Sequence, residues 1–171
     1  RPDCINDDLL DYFEELNQRT FLIVEYGVET CNDKTLQLIN RGHDFASACN
    51  AIEKTANRGI RVGAHIILGL PGENAEESLR QAPIISSLPL TTLKIHQLQI
   101  IRGTTLAKMY AESPFHLYTV EEYIELIAKY IRLLRPNLIL ERFVSQSPPD
   151  LLIAPKWGLK NYEFTHRLHN Y

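Results

Sequence analysis

The sequence predicts an α/β fold on a parallel sheet, and three observations carry that prediction. Short apolar, β-branched runs alternate with segments of helical periodicity along almost the whole chain. Most helical segments open on a capping residue, and several meet glycine or proline at or near their ends (Gly42, Gly59, Pro83, Pro136). The run from Gly63 to Glu73 passes from a buried strand into a glycine-rich turn ahead of a helix, which brings bare backbone to the strand's carboxyl end. In α/β proteins that is where ligands bind.

Asn6 caps a first helix through about Leu16, with Leu9, Phe13 and Leu16 on one face. Thr20 to Tyr26 reads as the first strand. Asn32 or Asp33 caps a short helix carrying Leu36 and Ile39, Gly42 interrupts it, and Asp44 caps a second helix ended by Arg58-Gly59. Ile60 to Leu68 is the second strand. After the turn Gly69 to Gly72, Asn74 caps a helix with two glutamates in its first turn, which suits the helix dipole. Pro83 is expected to kink or end that helix, because it lacks the donor for the Leu79 carbonyl.

Thr92 to Ile101 is the third strand, followed by the turn Arg102-Gly103-Thr104. Thr119-Val120-Glu121-Glu122 is a capping box opening a helix that Pro136 stops. Leu138 to Phe143 is a fourth strand, Leu151 to Ala154 a short fifth, and Leu159 to His169 a terminal helix. Two architectures fit this order: an open doubly wound sheet, or part of a (β/α) barrel. A whole eight-fold barrel needs ~250 residues, so 171 residues hold about half of one.

At 44% hydrophobic the chain can bury one sizeable core as a single domain. A net charge of -3 gives no electrostatic footprint for nucleic acid and no polybasic membrane patch. No apolar run approaches the ~20 residues of a membrane span, and no signal-peptide pattern opens the chain, so a cytoplasmic protein is expected. Cys4, Cys31 and Cys49 lack metal-site spacing, so no metal ligands are assigned and reduced thiols are expected. The chain opens on Arg1 and its one methionine is Met109, which suggests excision from a longer protein.

Strand alternation puts Glu25, Gly27 and Glu29 on one side of the first strand and its exit, and Gly63, His65, Ile67 and Gly69 on one face of the second. Strands covered on both faces should be apolar, so a glutamate and a histidine there need partners or a cavity. His65 fits either a cavity wall or a core histidine bonded to backbone, and Glu29 either a ligand contact or a solvent-facing carboxylate. Arg41 could approach the same strand ends and take a carboxylate partner, or lie on the surface. On the third strand Lys94 and His96 share one face and Gln97 and Gln99 the other, so one of these faces lines a wet cavity. The turn Gly69-Leu70-Pro71-Gly72 is neither GxGxxG nor a Walker loop.

Taken together, four stretches resemble the later half of the radical SAM fold and fall in that family's order. They are Glu25-Tyr26-Gly27-Val28-Glu29-Thr30, Leu38-Ile39-Asn40-Arg41-Gly42-His43, His65 through Glu73, and Ile101-Arg102-Gly103-Thr104. The tail from Asp150 to Trp157 is similar to a bacterial branch of iron–sulfur oxidoreductases, itself similar to the oxygen-independent coproporphyrinogen oxidase group.

The resemblance implies a partial TIM-like barrel in which a [4Fe–4S] cluster reduces S-adenosylmethionine to methionine and a 5′-deoxyadenosyl radical. It implies that Arg41 grips the methionine carboxylate and that Glu29, usually glutamine in the family, contacts the sugar or methionine part. His65 falls where relatives carry a small or acidic residue near the ribose, Ile67 packs on adenine, and Gly69 allows close backbone approach. Lys94, His96 and Arg142 have no family role and are assigned to the substrate side.

The family's cluster cysteines, which follow the first barrel strand, match no segment here. The expectation is therefore a cofactor-binding half, inactive alone, with the cluster held outside this chain and the substrate unspecified. A half barrel exposes a sheet edge and an apolar inner face, so self-association is expected. The alternatives are a non-redox α/β module that binds a nucleotide or a protein, and a scaffold domain whose polar strand residues are only structural.

Overall fold

A computed structural model describes all residues, 1–171. Four parallel strands form the main sheet in the order β1 (Ile23–Glu29), β2 (Arg61–Leu68), β3 (Thr92–Gln97) and β5 (Ile139–Arg142). The helices are α1 (Asp7–Asn17), α2 (Asp33–Leu38), α3 (Phe45–Asn57), α4 (Ala75–Ser87), α5 (Thr105–Glu112), α6 (Val120–Arg132) and α7 (Asn161–His169). A second, two-stranded antiparallel sheet pairs β4 (Ile100–Ile101) with β6 (Leu152–Ala154).

The period of two decides what the main sheet buries. Tyr26, Val28, Val62, Ala64, Ile66, Leu68, Leu93 and Ile95 point to the helix side and are all buried. Against them pack Ala48, Ala51 and Ile52 of α3, Ala82 and Ile85 of α4, and Tyr123, Ile124, Ile127 and Tyr130 of α6. Each large apolar side chain so covered contributes roughly 1.5–3 kcal/mol. Three hydroxyls are settled inside this core. Tyr26 Oη lies 2.6 Å from Thr55 Oγ1, which donates to Ala51 O at 2.7 Å; Tyr123 Oη donates to Phe143 O at 2.9 Å. No helix is long and apolar enough to cross a membrane.

The caps read from the sequence form as expected. Asn6, Asn32, Asp44, Asn74 and Thr119 each accept a backbone N–H in the first turn of their helix, and Thr119 and Glu122 close a reciprocal capping box.

Four expectations need correction. Of the kink or end expected at Pro83, the end does not occur, since α4 runs on to Ser87. The buried face Ser78, Gln81, Ala82 and Ile85 continues past it, so packing outweighs the lost donor. The third strand is not continuous from Thr92 to Ile101. Leu98 N turns to Leu68 O at 3.0 Å, and Ile100 and Ile101 leave for the second sheet. The fifth strand joins them there and extends no parallel sheet. Finally, α5 is additional to the expected elements, although Thr104 caps it and Leu106, Met109 and Tyr110 stand at helical spacing.

Candidate functional site

The face of the sheet turned away from the helices is polar, and its strands are in register. Gly27 pairs with His65, His65 with Lys94, and Ile67 with His96. Glu25 lies one step below, where it meets two partners. His65 Nε2 is 3.0 Å from Glu25 Oε2, and the Lys94 ammonium donates to Glu25 Oε1. Lys94 also reaches Glu141 Oε2 at 3.2 Å, so one cation ties β1, β3 and β5 together.

Burial alone would raise the Glu25 carboxyl, but the hydrogen bonds from Lys94 and His65 outweigh it and hold the group below its ordinary value. The cost of a glutamate and a histidine on this face is thus met by pairing, as the sequence requires.

Above this layer, at the carboxyl ends of the strands, lies a hollow of about 330 Å3. Glu29, His65, Ile67 and His96 line it, closed by Leu70, Gln97 and Ser145. Glu29 terminates β1 in a left-handed conformation with φ 69°. Burial raises its carboxyl above the ordinary value, against the pull of Arg41. His96 is pushed down to about 4, first by burial and then by His65, Arg142 and Lys94. It is therefore neutral at pH 7, and its buried Nδ1 has no hydrogen-bond partner.

Arg41 stands behind this rim. Its Nη2 is 2.8 Å from Glu29 Oε1 and donates to Gly27 O at 3.2 Å. Its Nε donates to His43 Nε2 at 3.0 Å, which leaves His43 Nδ1 to donate to Asp44 O at 3.2 Å. Glycine at 27 makes room for this arrangement, because a side chain there would meet the tips of both Glu29 and Arg41.

The glycine-rich turn is anchored separately. Thr30 Oγ1 donates to Glu73 Oε1 at 2.6 Å, Gln81 Nε2 donates to Glu73 Oε2 at 3.0 Å, and Cys31 N donates to Gln81 Oε1 at 2.8 Å. Glu73 thus ties the turn after β2 to the exit of β1.

The structure therefore brings together Glu29, His65, Ile67 and His96 around one hollow, with Arg41 fixed to Glu29. Gly69, with φ 87°, faces Tyr118 and lines the adjoining hollow instead. Lys94 and Arg142 stand near enough to His96 to act on its charge but do not line the hollow with it. Lys94 is engaged by two carboxylates, and Arg142 is exposed beside it in register. Gln97 keeps the buried phase of Leu93 and Ile95, opposite to His96, and at the strand's end it and Gln99 also border the hollow. Three further participants carry no clear sequence signal. Glu141 and His43 need tertiary contacts to be seen, and Ser145 sits in a loop without a motif.

Two requirements of an S-adenosylmethionine site can be set against these residues. The hollow combines an aliphatic wall (Ile39, Ile67, Leu70) with a carboxylate able to accept from hydroxyls and an unpartnered buried ring nitrogen, which fits an adenosyl group. A [4Fe–4S] cluster does not fit this chain. Its three cysteines are dispersed, burial pushes the Cys31 thiol up to about 12, and no three His, Cys, Asp or Glu side chains converge to hold a metal ion.

Comparison with known proteins bears on the family and the fold. A family model described as the radical SAM superfamily matches residues 1–80, and one described as the radical SAM C-terminal domain matches residues 90–171. YtqA of Bacillus subtilis is 36% identical over 163 residues, which is 95% of this chain and 51% of YtqA. YhcC of Escherichia coli is 34% identical over 158 residues, 92% of this chain and 51% of its own length. A tRNA uridine(34) acetyltransferase of Methanocaldococcus infernus is 27% identical over 177 residues and is covered to 32%. The chain thus spans about half the length of the first two relatives. The solved structure of M. infernus Elp3 lacking residues 1-46 superposes with a TM-score of 0.86 at 23% identity, over 100% of this chain and 39% of that one. That likeness establishes the fold, a partial TIM-like barrel.

Proposed function

Because the chain belongs to the radical SAM superfamily, we propose that the hollow between Glu29 and His96 is one wall of an S-adenosylmethionine site. In the whole protein a [4Fe–4S] cluster held outside these residues would complete it. When both are bound, the cluster would supply the electron and the sulfonium the carbon–sulfur bond that it cleaves, the chemistry of this superfamily. The observation that supports the reading is the convergence of Glu29, Ile67 and His96 on one hollow with Arg41 fixed at its rim.

Each residue then has a physical task. Ile67, on the wall of the hollow, offers an apolar surface to the adenine ring. The Glu29 carboxylate accepts from ribose hydroxyls, a stronger acceptor than an amide when the donor is neutral. Arg41 is the one guanidinium fixed at this rim, and its planar fork suits the methionine carboxylate. His96 presents a neutral ring, so it can donate or accept one hydrogen bond without adding charge. His65, hydrogen-bonded to Glu25, is held at the floor and excludes water from below.

The test uses a protein long enough to carry the cluster-binding part, reconstituted with iron and sulfide and reduced in the presence of S-adenosylmethionine. Arg41→Ala is expected to lower 5′-deoxyadenosine formation at least tenfold while the cluster's visible absorption is unchanged. Wild-type turnover in that variant refutes the role of Arg41.

A further inference from the structure

A second hollow, of about 560 Å3, borders the ends of β3 and β5 and the segment that leads into α7. It shares Gln97, Gln99 and Ser145 with the hollow described above, so a single layer of side chains separates the two. Its charge is one-sided. Lys156 and Lys160 line it, and no aspartate or glutamate does. Neither ammonium is spent elsewhere, since the lysine ion pairs of the chain are those of Lys54, Lys94 and Lys129.

The remaining polar groups are largely committed to building the wall. Gln97 Oε1 accepts from Ser145 N at 2.8 Å while its Nε2 donates to Ser145 O at 3.0 Å. Gln99 Nε2 donates to the same carbonyl at 3.2 Å, and Ser147 Oγ donates to Gln99 Oε1 at 2.7 Å. The two amides pin residues 145–147 in place and leave the lysines as the free charges.

Trp157 supplies a fixed flat surface. Its Nε1 donates to Tyr118 O at 3.1 Å, and its ring stacks on Phe164 with centroids 6.2 Å apart and planes 9° apart. An aromatic ring already immobilised loses little entropy when a planar ligand lies against it. Two unpaired ammoniums in a concave site favour an anion, and lysines act there as point charges without demanding one geometry.

We propose that this second hollow receives the substrate, a small planar conjugated molecule that carries a phosphate or a carboxylate. The ring lies against Trp157, and the anion sits between Lys156 and Lys160. That the ligand is the substrate rests on the S-adenosylmethionine reading of the adjoining hollow; the ligand class rests on the lining residues alone.

Trp157 is the only tryptophan of the chain, so its fluorescence and its single indole N–H resonance report occupancy. The probes are phenyl phosphate and benzoate, with phenol as the uncharged ring and inorganic phosphate as the anion without a ring. Phenyl phosphate or benzoate is expected to shift the indole resonance saturably, with phenol at least tenfold weaker. Whichever of the two binds more tightly identifies the anion. The double variant K156A/K160A is expected to weaken the anionic ring at least tenfold and to leave phenol unchanged. No saturable shift with either anion, or equal affinity in the double variant, overturns the site. Inorganic phosphate competing as well as phenyl phosphate overturns the stacking on Trp157. S-adenosylmethionine takes no part in this titration, so its outcome is independent of the 5′-deoxyadenosine assay.

Discussion

The Arg41 guanidinium lies 2.8 Å from the Glu29 carboxylate, and that single pair joins the loop after α2 to the exit of β1. Both residues are mostly covered, with side-chain exposures of 28% and 14%, so solvent screens the pair only in part. A ligand carboxylate that recruits Arg41 must therefore compete with Glu29.

Gly27→Ala tests that arrangement without touching either charge. A Cβ on residue 27 would lie 2.6 Å from Arg41 Nη2 and closer still to Glu29 Oε1. Both are tips of flexible side chains, so the tips part and the sheet stays intact. Glu29 already titrates above its ordinary value because of burial, and Arg41 opposes that shift. The variant is expected to move the Glu29 carboxyl further upward in a carbon-detected NMR titration, at nearly unchanged thermal stability. An unaltered Glu29 titration contradicts the account of the rim.

His96 makes stability sensitive to acid. The folded ring takes a proton only near pH 4, whereas an unfolded histidine does so near 6.5. The contribution is therefore full above pH 6.5 and is lost as pH falls through the window toward 4. Discounted for solvent screening of a partly exposed ring, it amounts to about 1–2 kcal/mol. Urea unfolding at pH 7 and pH 4.5 is expected to show a smaller drop in His96→Gln than in the wild type. Equal drops would place the acid sensitivity elsewhere.

Arg135 closes the carboxyl end of α4. Its backbone N–H donates to Ser86 Oγ at 2.7 Å, and its guanidinium donates to the carbonyls of Ser86, Leu88 and Leu90, with Leu88 O at 2.8 Å. Arg135→Ala takes the donor from the Ser86 and Leu90 carbonyls, while Leu88 O keeps the Leu90 N–H at 2.7 Å, and is expected to cost about 2–3 kcal/mol in chemical denaturation. Arg135→Lys should recover less than half of that, because one ammonium cannot span the fork. A loss below about 0.5 kcal/mol, the range of an ordinary surface substitution, would show that water replaces the contacts.

What the sequence reveals follows from how local each signal is. Apolar, β-branched runs place β2 and the start of β3, and put β1 three residues early at each end (Thr20 to Tyr26 against Ile23–Glu29), because the signal is carried by the strand itself. The same rule runs Thr92 to Ile101 together, since the break at Leu98 depends on a hydrogen bond to Leu68 thirty residues away. Pro83 misleads for a related reason, as the packing that carries α4 past it comes from other elements. At the site, residue chemistry points to Glu29 and His65, the family resemblance adds Ile67, and the fold gathers them. It cannot reveal that Arg41 engages Glu29, or that Lys94 is consumed by Glu25 and Glu141, because those pairs span 12, 69 and 47 positions.

The most direct measurement is photolabelling. The protein that carries the cluster-binding part would be irradiated with 8-azido-S-adenosylmethionine, and the labelled peptides mapped by mass spectrometry. Label on the peptides holding Glu29 or Ile67, abolished by excess S-adenosylmethionine, is the predicted result. Specific, competed labelling confined to peptides remote from this hollow would contradict the account.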